Sequence, residues 1–132
     1  MSKWHNKIGK PLSSLEWLET HHNAKLMERE AFVQKILEKF KAKRIIDLGC
    51  ASGLWLDIFN KFLPAECEFI GIDINNDSIN EAKKLSENWN RKIDFLNIDI
   101  SKDFNKIPEA DLFLCFNMFP YIKDADLFIE QI

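Results

Sequence analysis

RIIDLGCASGLWL, running from Arg44 to Leu56, is the stretch whose reading decides the fold. Ile45 and Ile46 are β-branched and apolar, as a buried strand requires, and they lead into Asp47. Gly49 and Gly53 follow, separated by the small residues Cys50, Ala51 and Ser52. Trp55, Ile58, Phe59 and Phe62 then recur at helical spacing, and Pro64 stops the pattern. A strand, a glycine turn and a helix in direct succession form the opening of a strand–helix–strand unit. The turn bares the backbone beside a carboxylate.

The same alternation continues outward from this stretch. Glu68 to Ile74 (EFIGIDI), Ile93 to Ile98 (IDFLNI) and Asp111 to Phe116 (DLFLCF) read as three further strands. Ile79, Ala82 and Leu85, with Trp89 further on, mark a helix capped by Asn76, Asp77 or Ser78. Ala125 to Ile132 reads as the start of another helix. Upstream, Ser13 or Ser14 caps a helix that contains Glu16 and Trp17. A longer helix from about Asn23 to Phe40 places Leu26, Val33, Ile36, Leu37 and Phe40 largely on one face. Strand and helix in alternation predict an α/β fold. It is a Rossmann-like, doubly wound parallel sheet of about four strands with helices on both faces.

The 132 residues suit one domain. The division expected within it is an N-terminal helical lid over residues 1–40 and a ligand-binding core over 41–132. Apolar residues at 46% and charged residues at 30% are globular values. Lys+Arg 18 against Asp+Glu 21 leaves a net charge of −3, which gives no field drawing the chain onto nucleic acid or an anionic membrane. Cys50, Cys67 and Cys115 are too far apart for a metal-binding pair and read as reduced thiols. No apolar run has the length of a membrane span, and no secretory leader is visible, so the cytoplasm is the expected location.

In parallel sheets of this kind ligands sit at the carboxyl ends of the strands, where the glycine turn lies. Asp73 closes the second strand beside that turn, and a carboxylate there can accept two hydrogen bonds from the vicinal hydroxyls of a ribose. The ligand class is therefore an adenosine-type nucleoside, either a dinucleotide or S-adenosylmethionine. A dinucleotide calls for GxGxxG, and Ala51 and Leu54 occupy the second and third glycine places. S-adenosylmethionine has no phosphates to accommodate. Its ammonium suits Asp47 or the Gly49 carbonyl, and backbone N–H groups suit its carboxylate.

At this point the chain resembles the class I S-adenosylmethionine-dependent methyltransferases over roughly residues 25–132. DLGCASG, Asp47 to Gly53, is similar to their first motif DLGCGTG, with Ala51 in place of a glycine. Asp73 in GIDIN matches their ribose-binding acid. NIDI, Asn97 to Ile100, resembles their adenine-contacting segment, and DLFLCFNMFPYI resembles their fourth strand and the substrate-facing segment after it. The resemblance implies cofactor binding by Asp47, Gly49, Cys50, Ala51, Gly53, Asp73, Ile74, Asp99, Ile100 and Asn117. Asp99 would meet the exocyclic amine of adenine; its other reading is a turn cap before Ser101.

Methyl transfer requires chiefly that an acceptor be held in line in a dry pocket, so no catalytic residue is assigned. Met118, Phe119 and Tyr121 face the acceptor in this reading, and His21 and His22 join them if the N-terminal segment closes as a lid. The competing reading places both histidines at an exposed helix end. NMFPY has one residue too many to match the NPPY motif of amino-methylating enzymes. The acid that 2′-O-ribose methyltransferases place near Asn117 is missing. The expected function is methyl transfer to an unidentified acceptor. The alternative is a non-catalytic S-adenosylmethionine-binding or interaction module that pairs with a partner chain. Leu112 to Phe116 is apolar throughout, so its edge expects cover. Either the chain lacks its C-terminal strands as a fragment, or it self-associates through the fourth strand and Leu127, Phe128 and Ile132.

Overall fold

The computed structural model of the chain describes residues 15–116. In order, the elements are α1 (Leu15–Ala24), α2 (Leu26–Lys39), β1 (Arg44–Leu48), α3 (Leu54–Phe62), β2 (Glu68–Asp73), α4 (Asn76–Leu85), β3 (Ile93–Asn97), a 3-10 turn (Phe104–Lys106) and β4 (Leu112–Leu114). The expected caps Ser13 and Ser14 and the helix expected from Ala125 to Ile132 lie outside the described residues.

The four strands are parallel and ordered β3-β2-β1-β4. The chain moves from β1 to β2 to β3 in one direction. Right-handed crossovers therefore put α3 and α4 on one face. β4 pairs on the far side of β1, so the connection from β3 crosses back over the other face. The order reverses between β1 and β4, next to the glycine turn, which makes their carboxyl ends the switch point of the sheet.

Two-residue periodicity splits the core accordingly. Ile45, Phe69 and Leu114 pack with Leu56, Ile58 and Phe59 of α3 and with Val33 of α2. Ile46, Leu48, Ile70 and Ile72 form the opposite face, covered by Ile98, Ile100, Phe104, Ile107 and Ala110 of the β3–β4 connection. Val33 is fully buried, so α2 belongs to the layer over β1. Among the described residues no helix is long and apolar enough to cross a membrane.

β2 and β3 each end one residue before the expected Ile74 and Ile98, β4 spans only Leu112–Leu114 of the expected Asp111–Phe116, and three helix boundaries also differ from the sequence expectation. The helix expected from Asn23 is divided at Lys25, whose φ of −112° and ψ of 10° separate α1 from α2 while its N–H bonds to the His21 and His22 carbonyls. The cap of α4 is Asn75, one residue earlier than expected, where the side-chain oxygen accepts from the Ser78 N–H at 3.1 Å. Finally, α4 ends at Leu85, and Trp89 sits beyond it, edge-on to Phe69 with centroids 6.3 Å apart.

The amino ends of the strands are knit by charged groups. Arg91 lies over the Phe69 ring at 4.1 Å and donates to the Asn60 side chain (2.7 Å) and to the carbonyls of Pro64 (2.9 Å), Cys67 (2.8 Å), Leu63 (3.0 Å) and Asn60 (3.3 Å). It thereby satisfies carbonyls that the end of α3 leaves without helical partners. Arg44 donates twice to Glu68, and Asp111 accepts from the N–H groups of Lys43 and Arg44, which hold its pKa below the usual carboxylate value.

Candidate functional site

The turn between β1 and α3 holds three residues in the left-handed region: Gly49 at φ 74°, Ala51 at φ 48° and Gly53 at φ 84°. Glycine adopts that conformation freely, whereas alanine is strained there. Ala51, the departure from the family motif, is the one non-glycine residue with positive φ among the described residues. The turn is pinned to the end of β2, because the N–H groups of Gly49 and Cys50 both bond to the Ile72 carbonyl, at 2.8 and 2.9 Å.

Asp73 joins the same corner. One carboxylate oxygen accepts from the Ala51 N–H at 2.9 Å and the other from the Asn75 N–H at 2.8 Å. Each oxygen keeps a further lone pair for a ligand. Ile74, directly after it, is 66% exposed, an apolar side chain set open beside a carboxylate. Asn97, at the end of β3 and in register with Asp73, donates its amide to the carbonyls of Asp73 (3.1 Å) and Ile74 (2.8 Å) and fixes this corner.

Asp47 is only 3% exposed and has no hydrogen-bond or ion-pair partner among the described residues. Burial, and after it the Asp73 charge, raises its pKa well above the usual carboxylate value. An unpaired buried carboxyl is costly unless it stays protonated or meets a cation. Cys50 is buried beside it, and burial with the charges of Asp47 and Asp73 pushes its thiol well up, so it stays protonated and packs as a small apolar group. Cys115 is pushed up to about 11 by burial and Asp47.

Asp99 closes a turn: its Oδ1 accepts from the Ser101 N–H (3.1 Å) and hydroxyl (2.6 Å), and its Oδ2 stands 4.0 Å from the Lys102 ammonium. Oδ2 is the oxygen with capacity left for an amine. Ile100 is buried in the second core cluster. Asn117, Met118, Phe119 and Tyr121 lie outside the described residues.

The N-terminal helices approach this end of the sheet. His22 is buried, contrary to an exposed helix end, and its Nδ1 is 2.9 Å from the Arg29 guanidinium. A guanidinium only donates, so Nδ1 is the unprotonated nitrogen and the ring is neutral. Burial and the charge of Arg29 lower the His22 pKa to about 4. His21 stacks on Trp17, with centroids 4.8 Å apart. Arg29 also lies 4.5 Å from the Trp55 ring, which Phe116 stacks against at 4.1 Å and Phe32 meets edge-on.

The structure therefore brings Asp47, Gly49, Cys50, Ala51, Gly53, Asp73 and Ile74 into one corner. Two residues there escape sequence reading. Asn97 is a polar residue ending a strand whose partner ends in Asp73, a signal visible only once the register is known. Gly71 lies beneath the turn: a Cβ there would fall 2.6 Å from the Phe95 ring and 3.0 Å from the Cys50 sulfur. Its glycine is a packing requirement.

A parallel sheet with its switch point at a glycine turn, flanked by an acidic residue on each of two adjacent strands, defines a nucleoside-binding Rossmann-like domain. The chain belongs to the methyltransferase domain family, whose profile, described as "Methyltransferase domain", matches residues 39–132. Among solved structures it is similar to the plantazolicin methyltransferase BpumL in complex with SAH, with a TM-score of 0.63 and 25% identity, covering 91% of this chain and 49% of that one. It shares its fold with the YcgJ protein from Bacillus subtilis, at TM-score 0.62 and 16% identity over 80% of this chain and 44% of that one. A carboxy-S-adenosyl-L-methionine synthase from Trichodesmium erythraeum is 39% identical over 41 residues, 31% of this chain and 16% of that protein. The chain thus spans about half the length of the structural relatives and less of the curated one.

Proposed function

We propose that this chain carries the cofactor-binding part of an S-adenosylmethionine-dependent methyltransferase. The observation that carries the reading is the joint made by the Ala51 N–H and the Asp73 carboxylate at 2.9 Å. It locks the glycine turn to the residue best placed to accept from ribose hydroxyls, leaving a lone pair on each oxygen. The residues fit the cofactor. Asp47 is a buried carboxyl in want of a cation, which the ammonium end supplies. Gly49 and Gly53 give the turn its left-handed backbone, and the exposed Ile74 offers an apolar surface for the adenine ring.

When bound, the cofactor supplies a methyl group made electrophilic by a sulfonium. The chain's own contribution is to bind and orient: Asp73 holds the ribose end, Asp47 the amino-acid end, and the aromatic group of Trp55, Phe32 and Phe116 keeps water from one flank. Asn117, Met118, Phe119 and Tyr121, outside the described residues, are the acceptor-facing candidates of this reading. Calorimetry with S-adenosylhomocysteine tests the reading. Binding with little affinity for NADH is expected, and a preference for NADH would overturn it.

A further inference from the structure

Arg29 is a half-buried cation whose charge no carboxylate answers among the described residues. The acidic residues flanking it on α2 are engaged elsewhere, Glu28 with Lys25 at 3.7 Å and Glu30 with Lys61 at 2.8 Å. Among the described residues its guanidinium bonds to the neutral ring of His22, and it rests on Trp55. Desolvation without a compensating anion lowers its pKa. Independently, the Trp55 indole N–H is buried with no acceptor among the described residues. Buried donors are nearly always paired, so an orphan on the ring that carries the unanswered cation has a shared cause. Both groups only donate; Arg29 has a neutral acceptor and no anion, and the Trp55 N–H has no acceptor among the described residues. The position is specific too: Trp55 stands two residues beyond Gly53 in the first turn of α3, and Phe116, stacked on it, lies two residues past the carboxyl end of β4.

We propose that Arg29 is a carboxylate-binding residue of this site, receiving the carboxylate of a bound group beside the Trp55 ring. A carboxylate accepts through both oxygens and suits the guanidinium fork, with one edge free for an indole N–H. The inference rests on the nucleoside-binding reading above. Two bound groups carry the required chemistry, the amino-acid end of the cofactor and an acidic methyl acceptor.

Calorimetry on the full chain and on Arg29→Gln separates them. The ligands are S-adenosylhomocysteine, 5′-methylthioadenosine (the same nucleoside without an amino-acid end), benzoate and its neutral twin benzamide. If the cofactor is the source, Arg29→Gln weakens S-adenosylhomocysteine by about tenfold or more and leaves methylthioadenosine within about twofold. If the acceptor is the source, benzoate weakens and benzamide does not, while S-adenosylhomocysteine is unchanged. Arg29→Lys, which keeps the charge but not the fork, falls between. The proposal is overturned if neither carboxylate ligand weakens, or if each weakens equally with its neutral twin, as a purely structural role requires. Failure of both nucleosides to bind the unaltered chain would sink the nucleoside reading instead, and the benzoate arm would then decide Arg29 alone. Should Arg29→Gln not fold, the Trp55 indole N–H resonance of the unaltered chain, assigned with Trp55→Phe, is read in its place. It must move with S-adenosylhomocysteine or benzoate and stay with both neutral twins.

Discussion

The two ends of the sheet are built on opposite terms. At the amino ends every prominent charge is answered: Arg91 spends its guanidinium on five acceptors, Arg44 is paired with Glu68, and Asp111 caps two N–H groups. At the carboxyl ends, among the described residues, Asp47 is buried without a partner, Ala51 sits in a strained conformation, the Trp55 N–H is orphaned and Ile74 is left open. One end is optimised for stability and the other keeps local penalties, which is where binding sites are expected. The difference teaches that stability and ligand binding should respond oppositely to substitution at the two ends.

The largest effect is expected at the satisfied end. Arg91→Ala strips partners from the last carbonyls of α3 and should cost about 3 kcal/mol in urea denaturation. A loss below about 1 kcal/mol would mean that water replaces the guanidinium freely and that the contrast between the ends is overstated. Gly71→Ala, beneath the turn, forces a Cβ against Phe95 and should cost about 2 kcal/mol. An unchanged melting temperature would show that the Phe95 ring swings aside.

Binding is the measure at the other end. Asp73→Ala removes two charge-assisted hydrogen bonds, each worth roughly 1.5–3 kcal/mol before compensation, so S-adenosylhomocysteine affinity should fall at least about tenfold. Some stability goes with it, since the N–H groups of Ala51 and Asn75 lose their acceptor. Unchanged affinity would reduce Asp73 to a turn cap.

Asp47→Asn should do the reverse to stability. The folded pKa of Asp47 is raised, so the folded chain holds this proton more tightly than the unfolded one. Stability from this group is intact below the unfolded carboxylate value and is lost as pH rises from there toward the folded value. The amide removes that slope. At neutral pH Asp47→Asn should gain about 1 kcal/mol, with little gain in acid, while ligand affinity falls. Equal melting temperatures for the two chains at every pH would show that the carboxyl is solvated after all. The smallest effect belongs to Ala51→Gly, where relief of the left-handed strain slightly outweighs the added freedom of the unfolded chain, for a gain of about 0.5 kcal/mol. A loss instead would mean that the Ala51 methyl contributes packing.

Much of this is legible in the sequence. Apolar runs with period two, helical spacing from Trp55 to Phe62 and the glycines between them specify strand, turn and helix because those signals are local. Asp47, Gly49, Gly53 and Asp73 are readable as a candidate site for the same reason: they lie at a strand end or in the turn just after one, and parallel sheets put such ends together. The break at Lys25 and the cap at Asn75 are not legible there, because helix ends turn on single-residue dihedrals and capping bonds.

What the sequence by itself determined is the order of elements, the parallel sheet and the acidic corner around the glycine turn. What only the tertiary structure decided is which groups are left wanting. That Asp47 has no partner and Arg29 only a neutral histidine to bond among the described residues, and that Gly71 must be glycine because Phe95 and Cys50 crowd it, are facts about residues far apart in the chain. Burial and charge pairing depend on all neighbours in space, and no local pattern encodes them.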